Sequence, residues 1–244
     1  METGVIVNNL KVLVGGVQLR DGVVTMTDVL GRILTRAGLH VLAMERGYAS
    51  TIYGAHQYDP MLITDAPAVS WGDRDVDILI ALDYDSNPDA NLQPNRDTLL
   101  RHGKELKDGG VLIYDSSTGE VDTAELERRG IKVFPIPARN IARDELKKDV
   151  VKNIVMVGAL FRLLDFDPKG TYFRALIEER FLSKGQDIVD LNIRAAQRGR
   201  EAVEQRLGAK AWADAGYRLE SRTISEPFLL INGNEALCLG AIKA

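Results

Sequence analysis

The chain has 244 residues, 45% of them hydrophobic and 27% charged, a balance that suits a globular domain with a sizeable core. A net charge of −4, with the basic residues scattered, excludes the concentrated positive field that a nucleic-acid partner needs. With one cysteine, Cys238, the chain can hold neither an internal disulfide framework nor a four-thiolate iron–sulfur site.

Met1 to Asn9 carries no basic stretch followed by an apolar core, so no secretory signal is read and a cytoplasmic location is expected. Lys11 to Val14 is a short β-branched run that ends at Gly15-Gly16, the pattern of a buried strand entering a loop. Met26, Val29, Leu30, Ile33, Leu34 and Ala37 then recur at helical spacing, and Gly38 stops the helix. His40 to Met44 reads as the next strand, which completes a βαβ unit. Gln57 to Thr64 reads as an extra, less regular strand. Val76 to Leu82 has almost no polar alternation, as in a strand covered on both faces. A helix over Arg96 to Leu106, a strand at Val111 to Tyr114, a short helix at Ala124 to Arg129 and a strand at Ile131 to Phe134 continue the alternation.

From Asp144 the pattern turns helical, with Asp144 as the cap and Leu146, Val150, Ile154, Val157, Phe161 and Leu164 as the stripe. The longest apolar run, Ile154 to Leu164, is too short to span a bilayer and reads as a buried helix, so no membrane partner is expected. Further helices fit Tyr172 to Leu182 and Ile188 to Leu207. The fold class is therefore α/β, with an open, mostly parallel, doubly wound (Rossmann-like) sheet and a C-terminal helical segment. Residues 1–215 form the α/β domain, 216–232 read as a linker, and 233–244 open a new apolar helix.

Three constellations are candidates for chemistry. The loop Gly15-Gly16-Val17-Gln18-Leu19-Arg20-Asp21-Gly22 precedes a helix N-terminus, where backbone amides favour phosphate. It matches neither dinucleotide nor P-loop spacing, and a plain strand-to-helix turn is the simpler account. The stretch Glu45 to His56 follows the second strand, where an α/β sheet sets its ligand loops. His56 there suits a general base or a phosphate donor, and a lone structural histidine is the plainer account. Asp83-Tyr84-Asp85 and Asp115-Ser116-Ser117 form acidic strand ends, for which capping is the simpler explanation. Cys238 reads as an inert buried thiol.

In order, these segments resemble the gamma domain of 2-oxoacid:ferredoxin (acceptor) oxidoreductases, including the form fused ahead of the alpha subunit. Val12-Leu-Val-Gly-Gly-Val-Gln18, Ser50-x-Ile52-x-Gly54-x-His56, Val76 to Asp83, Gly109 to Ser116 and Asn153 to Leu160 carry the likeness. Gly233 to Ala241 resembles the opening of the alpha subunit's pyrimidine-type, thiamine-binding domain. Two departures stand out: Leu19-Arg20-Asp21 replaces a shorter, glycine-richer stretch, and Tyr53 and Ala55 replace a basic residue and a glycine.

The resemblance implies oxidative decarboxylation of a 2-oxoacid to acyl-CoA by a multi-subunit enzyme. Thiamine diphosphate and iron–sulfur clusters are then on the partner alpha and beta subunits or elsewhere in the complex, and ferredoxin is the acceptor. This chain's implied share is coenzyme A contact, through Gly15, Gly16, Gln18, Gly22, Ser50, Gly54 and His56, and subunit docking; it would carry no catalytic residue and no metal. Two alternatives remain: an independent nucleotide-binding reductase with Glu45 on the ribose, and a scaffold that binds no ligand.

Overall fold

The computed structural model describes residues 5–6, 9–46, 56–67, 75–83, 98–120, 122–208, 211–224 and 228–243. Six strands form the main sheet: β2 (Asn9–Val17), β3 (His40–Ala43), β4 (His56–Thr64), β5 (Val76–Ala81), β6 (Leu106–Asp115) and β7 (Lys132–Ile136). Their spatial order is β3-β4-β2-β5-β6-β7. β2, β5, β6 and β7 pair in parallel, whereas β4 is antiparallel to both β2 and β3. A separate parallel pair joins β1 (Val5–Ile6) to β8 (Tyr217–Arg218).

The sheet is mostly parallel, as the apolar runs predict. The βαβ unit is not a pair of neighbours, however. Gln57 to Thr64, read as an irregular extra strand, is a nine-residue strand that lies between β2 and β3. Its register, Val17 against His56 through Asn9 against Thr64, is unbroken. Hydrophobic alternation cannot state direction, because both faces of β4 are covered.

Alternation along the strands assigns residues to two layers. Val12, Val14, Ile78, Ile80, Val111 and Ile113 face the larger core, with α1 (Val23–Arg36) and α5 (Lys152–Leu163). Leu13, Leu79, Leu112 and Tyr114 face the smaller core on the other side, near Leu99 of α2 (Thr98–His102) and Leu126 of α3 (Ala124–Arg128). The six residues of the α1 stripe are all buried. Each fully buried aliphatic side chain of this kind contributes about 1.5–3 kcal/mol.

The second half departs from a single long helix. One turn of α4 (Ala138–Asn140) runs into a π-helical turn at Ile141–Glu145. Lys147, in the left-handed region at φ 59°, then breaks the chain before α5. Asp144 caps no helix here; it pairs with the adjacent Arg143 at 2.8 Å. The helix expected over Arg96 to Leu106 is likewise short within the described residues, because the Glu105 carbonyl accepts from Val76 N–H and the chain enters β6 at Leu106.

α6 (Thr171–Phe181) and α7 (Gln186–Leu207) follow, with α7 laid across α5. Glycine makes that crossing. A Cβ on Gly158 would stand 1.9 Å from the Ala196 carbonyl oxygen, and one on Gly199 would stand 1.9 Å from that of Val155.

After α8 (Ala211–Ala215), residues 219–224 and 228–230 lie along the β3 side of the sheet. Arg222 N–H donates to the Ala37 carbonyl and its guanidinium pairs with Asp65 at 2.6 Å. Phe228 stacks on His40, with ring centroids 4.4 Å apart. α9 (Gly233–Lys243) ends the described chain with Leu237, Leu239 and Ile242 exposed. Cys238 is exposed as well, contrary to its reading as a buried thiol, because α9 buries none of its residues against the chain.

Candidate functional site

The carboxyl ends of β2, β5, β6 and β7 define one edge of the sheet, where an α/β fold places its ligands. Since β4 runs the other way, its first residue, His56, arrives at this edge. Register does the rest: Gly15, Gly16 and Val17 lie opposite Tyr58, Gln57 and His56. Gly15, Gly16, Gln18, Gly22 and His56 therefore share one region. Ser50 and Gly54 lie outside the described residues.

The two glycines of the first loop are used for packing within the protein. A Cβ on Gly15 would come within 2.4 Å of Thr98, and one on Gly16 within 3.0 Å of Asp21 and Val23. Gly22 begins α1 in the left-handed conformation, at φ 71°, and no side chain caps that helix. Gln18 is buried in the turn.

Asp21 is the centre of this loop. Its side chain is fully buried, and its carboxylate accepts from Val17 N–H at 2.8 Å, from Arg20 Nε at 2.8 Å and from Lys152 Nζ at 2.6 Å. Arg139 Nη2 stands 3.9 Å away. Burial by itself pushes the carboxyl up, but the hydrogen bonds and charges of Arg20 and Lys152 outweigh it and hold Asp21 below the ordinary carboxylate range. Lys152 is equally buried, at the start of α5, so the helix delivers its cation 131 positions away in sequence. The Arg20 and Arg139 side chains are about one-third and one-quarter exposed, and they form a cationic rim.

His56 begins a second network. Its Nε2 lies 3.0 Å from Nε2 of His102, whose Nδ1 lies 3.1 Å from Glu105 Oε1. Its Nδ1 lies 3.7 Å from Asp83 Oδ2. The other Asp83 oxygen accepts from the Thr98 amide at 3.1 Å and its hydroxyl at 2.6 Å. Tyr58 closes the cluster, its ring 4.4 Å from that of His102. Burial holds the His102 imidazole below its ordinary value; Glu105 opposes the shift, and His56 and Arg101 add to it.

The acidic strand ends behave mainly as caps. Asp115 accepts from Ser117 N–H at 3.1 Å and the Ser117 hydroxyl at 2.6 Å. Asp83 does the same for Thr98, but its second oxygen turns to His56. Asp59 lies behind the first loop, where burial raises its carboxyl despite hydrogen bonds from Thr27, Arg46 and Gln57. The rival role for Glu45 fails on topology. β4 separates β3 from β2, so an acid after β3 stands two strands, about 9–10 Å, from the first loop.

Sequence reading missed Lys152, Arg139, Thr98, His102 and Glu105. Lys152 and Asn153 carried a signal: two polar residues directly before an eleven-residue apolar run must face a polar site or be exposed, and both are buried. Among the described residues, no cluster of three or more His, Cys, Asp or Glu side chains fits a metal ion, and no helix is long and apolar enough to cross a membrane.

Residues 11–202 match the family model described as pyruvate ferredoxin/flavodoxin oxidoreductase. Subunit KorC of the 2-oxoglutarate synthase of Methanocaldococcus jannaschii is 25% identical over 185 residues, which cover 76% of this chain and 89% of KorC. Two solved structures share the fold. A 2-oxoglutarate:ferredoxin oxidoreductase from Magnetococcus marinus, with 2-oxoglutarate, coenzyme A and succinyl-CoA bound, superposes with a TM-score of 0.77 at 23% identity. It covers 97% of this chain, which spans only 37% of that one. The gamma subunit of a keto/oxoacid ferredoxin oxidoreductase from Geobacter sulfurreducens gives 0.61 at 20% identity, over 80% of this chain and 97% of the subunit. With the family model matching most of its length, the chain belongs to the pyruvate ferredoxin/flavodoxin oxidoreductase family, whose members here are subunits of 2-oxoacid:ferredoxin oxidoreductases.

Proposed function

We propose that the chain acts as the gamma component of a cytoplasmic 2-oxoacid:ferredoxin oxidoreductase, contributing coenzyme A contact and subunit docking to the conversion of a 2-oxoacid to acyl-CoA. The family match over residues 11–202 carries this reading. Thiamine diphosphate and iron–sulfur clusters belong to the partner alpha and beta subunits, and ferredoxin accepts the electrons. A single cysteine supports placing the clusters elsewhere.

Docking is supported at the C-terminal helix. Leu237, Leu239 and Ile242 are exposed on α9, an apolar surface that a neighbour would cover. The Magnetococcus chain, longer than a gamma subunit, covers more of this chain than the Geobacter subunit does. Both facts agree with α9 opening a thiamine-binding domain or seating on one.

For coenzyme A, the fit at the first loop is partial. The Val17 amide already donates to the Asp21 carboxylate, so the loop is neutralised from within. The uncapped N-terminus of α1 and the rim cations Arg20 and Arg139 suit phosphate. These groups would hold the ligand's phosphates outside the glycines. The same internal carboxylate favours the second reading, a scaffold without ligand.

Two measurements separate these readings. The isolated chain should show no 2-oxoacid-dependent acceptor reduction, with activity appearing once thiamine-binding subunits are added. Calorimetric titration of the assembled complex with coenzyme A should give binding that an Arg20→Met/Arg139→Met double variant weakens about a hundredfold or more, at about 1.5–3 kcal/mol for each charge-assisted contact. Full activity of the complex without this chain would overturn the reading. Unchanged affinity in the double variant would leave docking alone.

A further inference from the structure

We propose that His56 holds a second, buried proton on Nδ1 facing the Asp83 carboxylate, so that the row Glu105–His102–His56–Asp83 is a proton-operated latch across the carboxyl edge of the sheet. Hydrogen-bond bookkeeping carries the inference. Glu105 can only accept, so His102 donates to it from Nδ1. Burial disfavours a charge on the His102 ring, and in the neutral ring Nε2 has only a lone pair. At 3.0 Å that lone pair needs a donor, so His56 presents Nε2–H to it.

This fixes the other side of the His56 ring. Its Nδ1 faces Asp83 Oδ2 at 3.7 Å; both atoms are buried and neither makes a hydrogen bond. Without another proton, a nitrogen lone pair opposes a carboxylate oxygen in a site closed to water. Two buried acceptors would go unmet, each at a substantial desolvation cost. A proton on His56 Nδ1 turns two opposed acceptors into an imidazolium–carboxylate ion pair at 3.7 Å. Among the described residues, the other groups facing the site are Tyr58, stacked on His56 and tilted against His102, Thr98, already donating to Asp83, and Arg101, whose charge acts on His102. None of them supplies a proton to Nδ1.

The latch joins three segments distant in sequence. His56 begins β4, Asp83 follows β5, and His102 ends α2. Thr98 carries the connection to the first loop, since it fills the space above Gly15. Loss of the proton as pH rises leaves the lone pair against the carboxylate, and the β4–β5–α2 junction loosens. The inference needs neither coenzyme A nor a partner subunit.

The chain has three histidines, so nitrogen-15 spectra of the ring-labelled, full-length protein can be assigned with a His40→Gln variant. Near neutral pH, one buried ring should give the imidazolium pattern and the other the neutral Nδ1–H tautomer. Asp83→Asn keeps the carbonyl for Thr98 and turns an amide N–H toward His56, so the imidazolium signal should be lost. Exchange of the Thr98 amide should rise with pH more steeply than intrinsic chemistry requires, and the excess should vanish in Asp83→Asn. Two neutral buried rings in the wild-type protein would overturn the proposal, and so would an imidazolium that survives Asp83→Asn. The wild-type spectrum decides alone if the variant does not fold.

Discussion

The α5–α7 crossing and the carboxyl edge of the sheet are both buried, yet they are built on opposite principles. The crossing rests on small and apolar residues with one ion pair, Arg162–Glu204, at its flank, and two glycines let helix backbones meet with no side chain between them. The edge buries Asp21, Lys152, His56, Asp83 and His102, each of which loses hydration and recovers it only through named partners. One region spends its burial on cohesion, whereas the other places charge where a ligand or proton would meet it. Stability should therefore depend on volume in the first and on protonation in the second.

Gly199→Ala tests the first half most severely. The new methyl group would meet the Val155 carbonyl, so α5 and α7 must separate, and urea unfolding should register a loss of about 3 kcal/mol or more. Lys152→Met comes next. It leaves Asp21 buried with Arg20, the Val17 amide and the more distant Arg139, and a loss of about 3 kcal/mol is expected near neutral pH, the lower end for a broken buried pair. The pH dependence has a definite sign. Asp21, whose folded value is lowered, supports folding fully above its unfolded value and loses that support as pH falls through the lower folded one. In Lys152→Met the acid limb of the stability profile should shrink accordingly.

Asp59 gives the opposite, smaller case. Its folded value is raised by burial, so its favourable contribution exists at low pH and is lost as pH rises through the folded value. Asp59→Asn keeps the acceptor for Arg46 and Gln57 and should melt above wild type at neutral pH, with the gap closing on acidification. The smallest effect belongs to α9. Leu237→Glu should change the stability of this chain by no more than about 0.5 kcal/mol, since the residue is 74% exposed, yet it should impair co-purification with thiamine-binding subunits.

The sequence made the scaffold legible wherever burial imposes a period. The α1 stripe and the apolar runs of β2, β5 and β6 appear where they were expected, because a helix stripe and a doubly covered strand leave different patterns. The order β3-β4-β2 was not legible, since the direction of β4 leaves no mark on its own residues. The site was half legible. Gly15, Gly16, Gln18, Gly22 and His56 do converge, but the partners that define their chemistry come from α2 and α5. Lys152 lies 131 positions from Asp21, and His102 lies 46 from His56. Local pattern reports which residues are special and stays silent on what they touch. Arg143 and Asp144 illustrate the reverse error: an acid that suited a helix cap answers instead to the arginine beside it.

The stretches 219–224 and 228–230, docked beside β3, have a consequence for solubility. An open sheet has two flanks, and an unguarded flank invites strand addition by another chain. On the far flank, β7 carries Pro135, which cannot donate to an incoming strand. β3 has no such residue and relies on the Arg222–Asp65 ion pair and the Phe228–His40 stack to hold a cover beside it. Proteolytic removal of that cover would leave a folded sheet with one sticky side, and self-association should be the first symptom, ahead of unfolding.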